Sequence, residues 1–140
     1  MPNQVNECKI LFDSSVLLQV FEGIDVFELI TNDVGKCRYY ILDNILNELS
    51  RMSLNSRGPK GRAARLALEY INRRGVEVIN TNLHELSGDE SIIEFLKARP
   101  DRGEFVVATN DDGLKRELLD LGVKVLTWWS SKFKYVILNP

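Results

Sequence analysis

Short, almost unbroken apolar runs alternate along this chain with stretches whose apolar residues recur every three to four positions. The runs Lys9–Phe12, Tyr39–Leu42, Val76–Ile79, Phe105–Ala108 and Val123–Leu126 are too short for helices and too continuous for strands with one wet face. They suit strands covered on both sides, and the helical stretches between them supply the cover. The pattern therefore predicts βαβ units and a mainly parallel sheet. Tyr135–Leu138 reads either as an edge strand or as an extended tail.

The helical stretches carry their own punctuation. Ser14 or Ser15 can cap a helix bearing Val16, Leu17 and Val20, which Gly23 interrupts before Val26, Phe27 and Ile30 resume. Asp43 or Asn44 can cap Ile45–Met52, and Arg62–Arg73 presents Ala63, Leu66, Ala67, Tyr70 and Ile71 on one stripe. Ser87 suits the cap of Asp89–Lys97, and Asn110 or Asp111 that of a helix running to Leu121. Gly75 and Gly122 follow helices, where a left-handed residue commonly ends them. Ser53–Gly61 is rich in loop formers and is expected to be exposed and mobile.

Composition narrows the classes further. With 140 residues, 44% of them hydrophobic, the chain suits one compact domain over 1–140. A net charge of −2 excludes an indiscriminate polycation, so any nucleic-acid contact must come from a local basic patch. No apolar run approaches the roughly 20 residues of a membrane span, and Met1–Glu7 lacks the charged-then-apolar order of a signal peptide. A cytoplasmic protein with no membrane association is the expectation. Cys8 and Cys37 have no CxxC spacing, and two thiolates cannot close a metal site. Buried, reduced thiols in or beside strands are expected.

Four acids stand where a strand gives way to a helix or within a helix's first turns. Asp13 follows Cys8–Phe12, Asp111 follows Phe105–Thr109, Glu48 lies in the helix after the second strand, and Asp89 opens another. Open α/β sheets expose such positions to a crevice at the carboxyl ends of the strands. Each has an ordinary explanation. Asp13 and Asp111 can be helix caps, Glu48 a solvated helix residue, and Asp89 and Glu90 acids favoured by a helix dipole. Converging together, they would repel one another unless a cation neutralised them, which makes a divalent-metal site and phosphodiester hydrolysis the first chemistry to consider. Hard oxygen ligands suit Mg²⁺ or Mn²⁺. Thr109, Asn110 and Asp112 add groups able to orient an acid or a water.

In order and spacing, Ile10–Ser15, Tyr40–Leu49, Gly88–Ile93 and Val106–Asp111 resemble the PIN-domain family of metal-dependent ribonucleases over essentially the whole chain. The branch it looks most like contains compact archaeal PIN proteins and small-subunit ribosomal RNA processing nucleases. The resemblance implies a three-layer α/β/α sandwich with a parallel sheet in order 3-2-1-4-5. It implies that Asp13, Glu48, Asp89 and Asp111 form the catalytic cluster, with Asp13, Asp89 and Asp111 binding the metal and Glu48 assisting. Ser15 stands where relatives often carry a small hydroxyl residue. The chain departs from the pattern at Asp89-Glu90-Ser91, where relatives often show Asp-Asp-Ala, so Glu90 can share that role. Asp112 likewise competes with Asp111.

The segment Arg51–Arg74 carries Arg51, Arg57, Lys60, Arg62, Arg65, Arg73 and Arg74 against one acid, Glu69. Alone it reads as a solvated helix face and loop. Beside an acidic cluster it can hold phosphates, with Lys115 and Arg116 on the same rim. Single-stranded RNA is the favoured substrate, because a narrow crevice admits one backbone. Trp128 and Trp129 can stack bases, although core or dimer packing suits them better. His84, the only histidine, reads as a surface loop residue, which argues against ribonuclease chemistry built on two acid–base groups.

Two other readings stand beside the nuclease. One is a PIN fold without turnover, serving as an RNA- or protein-binding scaffold. The other is a phosphoacceptor domain, which would want an acidic pair near the first strand and a lysine after the last; here Asp13 precedes Ser14 and Lys124 lies at a strand's start. Within the nuclease reading, a toxin with an antitoxin partner and an RNA-processing enzyme with a ribosome-assembly partner remain open, as does a homodimer.

Overall fold

A computed structural model describes residues 8–140; the targeting argument drawn from Met1–Glu7 lies outside the described residues. Six strands form one sheet in the order β3-β2-β1-β4-β5-β6. They are β1 (Cys8–Phe12), β2 (Cys37–Leu42), β3 (Glu77–Ile79), β4 (Phe105–Ala108), β5 (Lys124–Trp129) and β6 (Lys134–Leu138). The first five are parallel, and β6 pairs antiparallel with β5, so the last apolar run is an edge strand. The chain steps outward from β1 through β2 to β3, then returns to the other side of β1 with β4, which places the switch point between β1 and β4.

The expected double cover is visible residue by residue. Successive side chains of a strand point to opposite faces, yet Ile10, Leu11, Phe12, Phe105, Val106, Val107 and Ala108 are all buried. On one face Phe12 packs with Phe27 and Tyr39, and Phe27 stacks on Tyr70, bringing α2 (Val26–Asp33) and α4 (Pro59–Arg74) onto the sheet. On the other, Phe105 meets Tyr40 and Phe95 of α5 (Gly88–Lys97). Tyr135 of β6 is buried, and its backbone N–H donates to Asp33 Oδ2 at 2.8 Å, tying the edge strand to α2. Among the described residues no helix is long and apolar enough to cross a membrane.

Two expectations are corrected. Ser53–Gly61 is not one long loop: α3 (Asp43–Asn55) takes in its first three residues and α4 begins at Pro59, while most of the segment is exposed as expected. Only Ser56, Arg57 and Gly58 separate the helices. Gly61 explains the tightness of the turn, because a Cβ there would lie 2.0 Å from the Ser56 carbonyl oxygen. The cysteines are not reduced thiols either; Cys8 and Cys37 form a disulfide. Parallel pairing of β1 with β2 makes them direct partners, with Cα atoms 4.5 Å apart. Spacing along the chain says nothing of this, since the bond depends on strand register.

Candidate active site

Asp13 ends β1 at the switch point. Its backbone N–H donates to the Ala108 carbonyl at 2.9 Å, pinning it to the end of β4. The residue is 4% exposed, and it does not cap the short helix α1 (Ser14–Leu17) that follows. Instead its Oδ2 accepts from Ser15 Oγ at 2.7 Å and from Thr109 Oγ1 at 2.8 Å. Two hydroxyls thus hold one carboxylate oxygen, and the other makes no hydrogen bond among the described residues.

The segment after β4 interlocks with this seat. Asn110 N–H donates to Ser15 Oγ at 3.0 Å, and Asp111 N–H to Thr109 Oγ1 at 3.1 Å. The Asn110 amide reaches the other way: Nδ2 donates to Gln19 Oε1, which also accepts from Tyr135 Oη, while Oδ1 accepts from Trp128 N–H. Asp111 is the N-cap of α6 (Asp112–Asp120), its Oδ1 accepting from Leu114 N–H at 2.8 Å. Capping uses one oxygen of Asp111 and does not remove the acid from the crevice.

Glu48 and Asp89 meet across a glycine. An added Cβ on Gly88 would lie 2.6 Å from Ile45 Cδ1 and 3.1 Å from Glu48 Oε2. Only the missing side chain lets α5 start this close to α3, which sets Asp89 beside the Glu48 carboxylate. Burial first, and then the charges of Asp13, Asp111, Glu48 and Glu117, push Asp89 up to about 6. Asp89 stands at the open rim, where solvent screens part of the repulsion. The other three predicted acids and Glu117 thus all act on Asp89.

Other predicted residues take different parts. Glu90 belongs to a capping box with Ser87: each side chain accepts the other residue's backbone N–H, so Glu90 does not replace Asp89. Asp112 points outward, 88% exposed, and pairs with Lys115 Nζ at 3.0 Å. Lys115 also donates to Thr127 Oγ1, and Arg65 donates to the Ser53 carbonyl, bracing the turn between α3 and α4. Arg51, Arg57, Lys60 and Arg62 are exposed, and Arg51 lies one helical turn beyond Glu48. His84 is exposed, as expected.

Sequence reasoning missed Gly88, Glu117 and Gln19. Glu117 lines an open groove of about 460 Å³ together with Leu83, Leu86, Asp89, Ile93 and Lys97. Its only signal was its place beside the buried Leu114 and Leu118 of α6. Nothing local in sequence marks Gly88, because its neighbour is supplied by α3.

The donor set around the crevice is all oxygen, which suits a hard divalent cation. Among the described residues, no three His, Cys, Asp or Glu side chains already lie close enough to hold an ion.

A comparison with curated proteins finds no match. Among solved structures, the chain is similar to one described as the PIN domain endonuclease Utp24, at 19% identity and a TM-score of 0.77, with 97% of this chain and 95% of that one covered. At that identity the likeness shows the fold. The family model described as a PIN-like domain matches residues 10–129, from the middle of β1 to the end of β5. The chain therefore belongs to the PIN-like domain family.

Proposed function

We propose that this protein is a metal-dependent endoribonuclease that hydrolyses RNA phosphodiesters at Asp13, Glu48, Asp89 and Asp111. One observation carries the reading: Asp89 is pushed up to about 6 by burial and by three other acids drawn from β1, α3 and the end of β4. An apo protein gains nothing from such a cluster, whereas a cation site needs it. The similar structure is described as an endonuclease, and PIN nucleases generally use divalent metals.

In this reading Asp13, Asp89 and Asp111 hold Mg²⁺ or Mn²⁺, which when bound supplies a Lewis acid for the scissile phosphate and its attacking water. Ser15 and Thr109 fix Asp13 so that one oxygen faces the crevice. Glu48 holds a water or a proton beside Asp89. Asn110 locks the two strand ends together. The exposed Arg51, Arg57, Lys60 and Arg62 bind phosphates flanking the scissile one. Toxin and RNA-processing roles share this chemistry.

The test is cleavage of labelled single-stranded and structured RNAs with and without Mn²⁺. The expected result is cutting that requires the ion and is abolished by Asp13→Asn and by Asp89→Asn. Activity persisting in both variants would place the chemistry elsewhere. RNA binding without cleavage or Mn²⁺ uptake would favour the scaffold reading instead.

A further inference from the structure

The top edge of the sheet does not end at the acids. In the order β1-β4-β5, Asp13, Asp111 and Trp129 stand at three neighbouring strand ends. β5 runs three residues past its last pairing with β4, at Leu126, so Trp129 projects beyond the crevice floor. Strand geometry puts it about 7 Å farther along the strand direction than Asp13 and about 10 Å across from it. Its position is fixed from within the site, because the backbone N–H of the preceding Trp128 donates to Asn110 Oδ1 at 3.0 Å. Asn110 in turn donates to Ser15, the partner of Asp13.

Trp129 is 47% exposed, and cations surround it. Lys132 Nζ lies 5.7 Å from its ring centroid, and Lys134 is its direct partner on β6; the Lys115 ammonium, which donates to Thr127 on the same face of β5, is already paired with Asp112. Residues 121–140 hold three lysines and no Asp or Glu, in a chain of net charge −2. The hairpin reaches this arrangement through a strained residue. Phe133 is in the left-handed region at φ 49°, ψ 52°, which an aromatic residue rarely adopts. The turn sends the Phe133 ring to the other face, against Trp128 at 4.9 Å, and leaves Lys132 and Lys134 flanking Trp129.

We propose that Trp129, with Lys132 and Lys134, is a base-stacking site for single-stranded RNA whose scissile phosphate lies at the acids. This rests on the ribonuclease reading above. A ring set among lysines suits a nucleotide, whose base stacks while its phosphates meet the cations. It suits a second copy of the chain poorly, since lysines are depleted from protein–protein interfaces. The site gives the enzyme a grip on bases a few nucleotides from the cut, without reading their identity.

The experiment measures binding of a short fluorescein-labelled oligouridine by anisotropy, using the full chain carrying Asp13→Asn so that the RNA survives. Trp129→Ala in that background is expected to weaken binding about 5- to 150-fold, the range for one stacked base. Lys132→Ala and Lys134→Ala are each expected to lower the salt slope by about 0.7. Phe133→Gly, which relieves the left-handed strain and removes an exposed ring from the opposite face, is expected to bind as the parent does and to melt near the parent temperature. Unchanged binding by Trp129→Ala overturns the stacking site, as does an equal loss in Phe133→Gly, or a change of oligomeric state in sedimentation that accounts for the loss. A parent protein that binds no RNA overturns it together with the ribonuclease reading; a wild type that cuts RNA while Trp129→Ala binds normally overturns the stacking site alone.

Discussion

Asp43 opens α3 at the end of β2, and Asp89 opens α5; both are acids in a first helical turn, where the helix dipole favours negative charge. Asp43 is buried, and three donors converge on one of its oxygens. Its Oδ1 accepts from Thr81 Oγ1 at 2.8 Å, Thr81 N–H at 3.2 Å and Asn44 N–H at 3.0 Å. Burial pulls its pKa upward, but those donors together outweigh it and hold the carboxyl below the usual carboxylate range. Asp89 has no such donors among the described residues and faces four other acids, so its pKa moves the opposite way. The fold provides donors where an acid serves structure. At Asp89 it has assembled repulsion, which is expected where a cation is to be received.

Substitutions should separate the two acids. Asp89→Asn is expected to lower Mn²⁺-dependent RNA cleavage by more than about 100-fold, while Asp43→Ala leaves the rate per folded molecule within several-fold. A comparable catalytic loss in both would erase the distinction.

The next largest effect lies at the foot of the sheet, where Cys8–Cys37 clamps β1 to β2, far from the acids. Closing a loop across 29 residues stabilises by about 3 to 4 kcal/mol. Adding a reductant should lower the denaturation midpoint accordingly and leave cleavage below that midpoint unaffected.

Asp43→Ala strands the Thr81 donors and is expected to cost about 1 to 3 kcal/mol in chemical denaturation. Because folding lowers its pKa, Asp43 contributes stability that is present above about pH 4 and lost as the pH falls through its folded value.

Asp89→Asn should do the reverse. The folded, metal-free protein holds the Asp89 proton more tightly than the unfolded chain does. The penalty is therefore absent below about pH 4, sets in as the pH rises toward about 6, and is full above that. Melting of the metal-free protein followed across that window should fall for wild type and flatten for Asp89→Asn. At the screened rim the gain at neutral pH is on the order of 1 kcal/mol or less, a melting shift of a few degrees at most. A destabilised Asp89→Asn would show that the residue is held by contacts rather than opposed by charge.

Much of this was legible in the chain because the carriers are local. Five strands announced themselves by continuous apolar runs, and Asp13, Asp111 and Ser87 by their places at strand and helix ends. What was not legible depends on partners brought from elsewhere. The disulfide needs the register of β1 on β2, and Gly88 needs the Glu48 carboxylate against it. Glu117 matters only because α6 packs near α5. The segment Ser53–Gly61 misled for a related reason. Gly and Pro usually mark loops, but Pro59 starts a helix here, and Gly61 permits the close approach of the Ser56 carbonyl. Glu90 and Asp112, the two acids that competed for roles, are separated by what they touch: a capping box in one case and Lys115 in the other.

The central claim is that these acids are gathered for a divalent cation, and calorimetric titration of Mn²⁺ into the metal-free protein at neutral pH measures that directly. The account requires saturable binding by wild type, weakened more than about 10-fold by Asp13→Asn and unchanged by Asp43→Ala. Wild-type protein that takes up no Mn²⁺, or an Asp13→Asn variant that takes it up equally well, contradicts it.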